Sequence, residues 1–190
     1  FLSENSKVKY VEKHYGEGKG DGKRVLNPTT EIYMKQGSSM TMDSVQIKGV
    51  DDTIRITKAE LAENTTLVIN EKILTNNAQT AKTEFNVELN GENASTHVTS
   101  RSVATDDSYQ EFKSNINGNT KCYAHVECDA IIKDNGRVKA IPEIYAGSVD
   151  ANLIHEAAIG KIAGEQLLKL MSLGLSEKDA EAAIIEGFLK

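Results

Sequence analysis

Polar and apolar residues alternate one for one through the middle of this chain. In Thr83-Glu84-Phe85-Asn86-Val87-Glu88-Leu89, residues Phe85, Val87 and Leu89 share one face and the charged and amide residues share the other. A period of two is the mark of a strand with one buried face. Thr53-Ile54-Arg55-Ile56-Thr57 and Thr66-Leu67-Val68-Ile69 read the same way, with the isoleucines Ile54 and Ile56 expected inside. Strand-like runs follow over Ser95 to Val103, Tyr109 to Ile116, Thr120 to Ile132 and Arg137 to Ile144. Asn90-Gly91, Asn117-Gly118-Asn119 and Asn135-Gly136 punctuate them as turns. No helical pattern interleaves, which argues against βαβ units. Many short strands with small residues fit a sandwich or a β-solenoid, and no crisp short repeat chooses between the two.

The period changes after about residue 155. Ile159, Ile162, Leu167, Leu170 and Met171 fall at near-helical spacing, and Gly174 reads as the residue that stops a helix. Ser176 then reads as an N-cap with Asp179 three residues on, and Ala180, Ala183, Ile184 and Phe188 follow at helical spacing. The prediction is a helical hairpin about 30 residues long, too short to be stable alone. The expected organisation is a β core over residues 1–150, with 1–30 partly loop, and a helical region over 151–190.

Composition narrows the function classes. The chain has 190 residues with a formal charge of −6. An acidic chain without a basic run is a poor grip for phosphate backbones, so no nucleic-acid partner is expected. No apolar stretch approaches the roughly 18 residues that span a bilayer, so no membrane insertion is expected. Gly16, Gly18, Gly20 and Gly22 alternate with charged residues, but Gly22-Lys23 runs into Arg24 rather than Ser or Thr, so a flexible loop is read instead of a phosphate loop. The two cysteines, Cys122 and Cys128, would lie about 20 Å apart on one strand, too far for a disulfide. Free thiols and the lack of a signal peptide suit a cytoplasmic setting.

Candidate chemistry is sparse. Cys122, His125 and Cys128 look like a metal triad in print, but on a strand His125 points away from the two thiols. His97 and His14 have no evident partner. Asp106-Asp107, the one tight acidic pair, sits in a turn-like stretch. A polysaccharide-acting β-helix enzyme, which needs paired acids along one groove, gains little from it.

The run from Cys128 to Phe188 carries the strongest signal. It holds Cys128-Asp129-Ala130, His155-Glu156-Ala157, Lys161-Ile162, Gln166-Leu167, Gly174-Leu175-Ser176 and Gly187-Phe188 in order. Thr30-Glu31-Ile32-Tyr33 with Gly37-Ser38, and Glu88 to Ala94, add weaker matches. This string closely resembles the SufB/SufD family, the scaffold subunits of the SUF iron–sulfur cluster assembly machinery. The resemblance implies a right-handed parallel β-helix followed by a small helical domain. It implies a non-catalytic scaffold whose ATPase activity resides in a SufC-type ABC partner docked on the helices, where Leu173 and Phe188 are the candidate contacts. It implies end-to-end pairing as a homodimer or a SufB/SufD heterodimer near Cys128 and His155. It implies a transient iron–sulfur cluster, no organic cofactor and no permanently bound metal, with Cys128, His155 and Glu156 as the candidate cluster ligands. Where SufB proteins carry Glu-His-Glu, this chain carries Ile154-His155-Glu156, which leaves room for a SufD-like structural role without a cluster.

Overall fold

The computed structural model describes residues 1–17 and 22–190. Gly18 and Gly20 of the glycine-rich stretch lie outside the described residues. Twelve strands precede two helices: β1 (Lys7–Tyr15), β2 (Val25–Leu26), β3 (Thr29–Met34), β4 (Ser39–Lys48), β5 (Asp52–Leu61), β6 (Thr66–Thr75), β7 (Thr80–Leu89), β8 (Ala94–Ala104), β9 (Tyr109–Gly118), β10 (Cys122–Ile132), β11 (Arg137–Ala146), β12 (Ala151–Gly160), α1 (Gly164–Ser172) and α2 (Glu177–Phe188).

From β3 onward each strand pairs with the strand two places on, while β1 pairs with β4 and β2 with β5; none pairs with its neighbour in sequence. One sheet runs β1-β4-β6-β8-β10-β12 and the other runs β11-β9-β7-β5 to β2 and β3. Every pairing is parallel. The chain therefore winds as a parallel β-helix of about five turns, and the sandwich is ruled out. From β4 onward the register partners of the first sheet lie 27 to 29 residues apart. That period is hidden in the sequence because stacked positions must agree only in size and in which way they face.

Residues of alternating position from both sheets fill the interior. Leu61, Leu67, Leu89 and Val98 are completely enclosed, and Phe85 meets Phe112 with ring centroids 5.7 Å apart. Each such side chain contributes about 1.5–3 kcal/mol by leaving water. Turns repeat from coil to coil. Asn64 and Asn93 adopt φ of 55° and 57°, and the Asn93 amide donates to the Asn64 side chain at 3.2 Å. The Asn90-Gly91 turn passes so close to the coil below that a Cβ on Gly91 would sit 2.0 Å from the Glu63 nitrogen.

Two expectations change. First, Thr53–Thr57 is inverted: Thr53, Arg55 and Thr57 are inside, while Ile54 is 45% exposed. The cause is a polar pocket in the interior. The Arg55 guanidinium reaches Glu12, Ser44 and the His14 ring nitrogen, and its Nε lies 3.9 Å from Glu71. A partnered buried charge can replace an apolar side chain where its bonds are met. Second, the solenoid continues to Gly160, so Ile159 lies on β12 and the helices begin only at Gly164. Beyond that point the hairpin forms as its pattern predicts. Gly174 closes α1 with φ of 98°, and the Ser176 hydroxyl accepts from the Asp179 amide at 3.2 Å. Among the described residues no helix is long and apolar enough to cross a membrane.

Candidate functional site

Strand register places the candidate residues. Glu12, Ser44, Glu71, Ser100, Cys128 and Ala157 are successive partners across β1, β4, β6, β8, β10 and β12. All but the last two coils of this row are tied by hydrogen bonds: Ser44 donates to Glu12 at 3.0 Å and Ser100 donates to Glu71 at 2.8 Å. Cys128 is a free thiol, 2% exposed, next in line after Ser100. Burial, with the Glu71 and Asp129 carboxylates adding to it, pushes the thiol up to about 12. It therefore rests protonated at neutral pH and becomes a strong ligand only when a metal or a sulfur donor displaces its proton.

His155 pairs with Val126, which lies inside, so the imidazole also lies on the inner side. Cys128 and His155 are diagonal neighbours on β10 and β12, roughly 8 Å apart by strand geometry. Both ring nitrogens of His155 are buried without a hydrogen-bond partner. Burial, then the charge of nearby His125, holds the ring below its usual pKa, so it is neutral and free to donate a lone pair. A buried polar group left unpaired costs about 1–3 kcal/mol, and such a cost points to an absent partner. A free buried thiol and an imidazole with two unbonded nitrogens are, by type, residues that can ligate iron.

Glu156 does not join them. Its register partner Glu127 faces out, and its carboxylate lies 3.6 Å from His125 on the outer surface. Cys122 and Cys128 share β10 and the inner face, with His125 on the other, so they form no triad. Asp106 and Asp107 are exposed turn residues. Of the hairpin positions, Leu173 is 72% exposed and Phe188 half-buried, and Leu168 and Met171 add to the apolar surface of α1. Sequence reasoning missed the Arg55 pocket and the pairing of His97 with His125. A 28-residue period would have exposed the latter, since the two are one coil apart.

The last coil ends both sheets, with β11 and β12 as edge strands. Ile144, Tyr145, Ile154 and Ile159 are exposed there. Long exposed edges with apolar side chains are templates for pairing with another chain.

The model of the SUF system FeS cluster assembly SufBD core domain matches residues 52–188. The chain belongs to the SufBD family. An iron–sulfur cluster assembly SufBD family protein of Methanocaldococcus jannaschii is 32% identical over 99% of this chain and 60% of its own length. SufBD family proteins of Archaeoglobus fulgidus and Pyrococcus horikoshii are 27% and 28% identical, over 51% and 57% of their lengths. This SufBD chain thus spans about half to three-fifths of those relatives. The matched core starts at β5 and takes in Cys128, His155 and the whole helical hairpin.

Proposed function

We propose that this SufBD chain is a scaffold for iron–sulfur cluster assembly, in which Cys128 and His155 hold the nascent cluster at the open end of the solenoid. The observation that carries this reading is the pair itself: a buried thiol and an imidazole with two unpartnered nitrogens, diagonal neighbours on β10 and β12. Thiolate and imidazole are both ligands that iron–sulfur centres use. The bare edges of β11 and β12 support pairing with a second SufBD-type subunit, which would close the site over its cargo. The exposed leucines of α1, with Phe188, support docking of a SufC-type ATPase on the hairpin. The scaffold holds and releases; the partner supplies ATP hydrolysis. Coupling between the two requires that ATP binding favour one arrangement of the paired coils over another.

A SufD-like role, pairing without a cluster, is favoured by one feature: Ile154 stands where the SufB resemblance implies glutamate. Anaerobic co-production with the ATPase, reconstitution with iron and sulfide, and quantitation of both separate the two. Stoichiometric loading that collapses in Cys128→Ser supports the scaffold. ATPase that co-purifies with a chain holding no cluster supports the structural partner.

A further inference from the structure

The outer face of the last coils carries a second set of ligating groups. On β8, β10 and β12 the outward positions form two adjoining rows, His97–His125–Ile154 and Thr99–Glu127–Glu156. Four of these six side chains are metal ligands by type. The His97 and His125 rings meet edge to face with centroids 4.9 Å apart. His125 Nε2 is buried, makes no hydrogen bond, and lies 3.6 Å from the Glu156 carboxylate. Glu127 accepts a long 3.5 Å bond from Thr99 and shares a hydrogen bond with Asp129, whose carboxyl is raised mainly by burial and then by Glu127. Among the described residues neither glutamate has a lysine or arginine within ion-pair distance.

We propose that His97, His125, Glu127 and Glu156 form a docking site for one divalent transition-metal ion on the outside of the solenoid. Two imidazoles and a carboxylate are the set that binds ferrous iron with coordination positions left open, as a site that passes its metal on requires. That the ion is iron rests on the scaffold reading above; that the site takes a divalent ion does not. As they stand the four groups do not surround one point. The Glu156 carboxylate already stands 3.6 Å from His125, and its 65% exposed side chain has room to turn toward a bound ion. The site lies on the reverse of the strand that carries Cys128, so metal would gather one sheet thickness from the inner pair.

Cobalt(II), a spectroscopic stand-in for ferrous iron, tests this under anaerobic conditions. The titration is made on the Cys128→Ser background, which takes the inner thiol out of the reading, and is expected to give ligand-field absorption from the outer site. His125→Ala weakens binding by about tenfold or more. Glu156→Gln, an exposed isosteric change that spares the fold, also weakens it and keeps the test decisive if His125→Ala melts. Cobalt absorption that is absent from Cys128→Ser, or that neither His125→Ala nor Glu156→Gln weakens on that background, overturns the proposal. Cobalt bound as described by a chain that assembles no cluster with its partners would sink the scaffold reading and leave this site standing.

Discussion

Two of the polar places in the interior of this solenoid are finished differently. Around Arg55, in the early coils, the Glu12 carboxylate, the Ser44 hydroxyl and the His14 ring bond one guanidinium, and the Glu71 carboxylate, held by Ser100, stands 3.9 Å from its Nε. On β10 and β12, Cys128 has the Glu71 and Asp129 carboxylates as charged neighbours and His155 leaves both nitrogens unbonded. Low dielectric makes a satisfied network rigid and an unsatisfied group costly. The first place holds its coils together. The second leaves imidazole nitrogens unbonded, which is what the proposed scaffold role requires.

The contrast breaks most violently at Arg55. Arg55→Met leaves Glu12 and Glu71 facing each other without a cation, and stability should fall by about 3–5 kcal/mol in urea unfolding. Burial already raises the Glu71 carboxyl above its usual range. A raised folded pKa favours the native state below the unfolded pKa and loses that contribution as pH rises through the folded value. The Arg55→Met deficit should therefore shrink as pH falls from neutral toward the ordinary carboxylate range. A deficit that deepens on acidification would show that Glu71 rests ionised by other means.

The open pair should behave in the opposite way. Cys128→Ser puts a second hydroxyl beside Ser100 at nearly equal volume, so the melting temperature should move little while cluster loading collapses. Loading itself should rise with pH, because a thiol held near 12 must lose its proton to bind iron. A cluster yield independent of pH between 6 and 9, assayed by iron and sulfide content, would remove Cys128 as the ligand.

The smallest effect lies outside the solenoid. α2 is fastened by Lys133 to Glu181 at 2.5 Å and by Lys72 to the Lys190 carbonyl at 2.5 Å, with only Ala180 buried. Ser176→Ala removes its cap at a cost of about 1 kcal/mol. Hydrogen exchange should quicken in α2 alone, and exchange that quickens in β10 as well would mean the hairpin supports the coil.

These regions were unequally legible. Strands such as Thr83–Leu89 and the hairpin from Gly174 onward declare themselves by period and cap, which are local. The solenoid does not, because its 27–29-residue register is a pairing of residues far apart in sequence. Thr53–Thr57 misled for the same reason: alternation says which residues share a face, and only Glu12 and Glu71 on other coils decide that Arg55 is the inner one. Cys128 and His155 were legible through their motifs, and register brings them onto one inner face. Glu156 follows its neighbour in sequence but faces out, since adjacent strand residues point opposite ways.

One measurement sets the two regions against each other directly. His14 and His155 both lie within the solenoid, the first bonded to Arg55 and the second to nothing. Iron and sulfide content after anaerobic reconstitution with the partner subunits should be near wild type in His14→Ala, provided it folds, and fall severalfold in His155→Ala at unchanged melting temperature. Equal loading in both variants, at the wild-type level, would contradict the claim that the unsatisfied last coil is where the cluster is held.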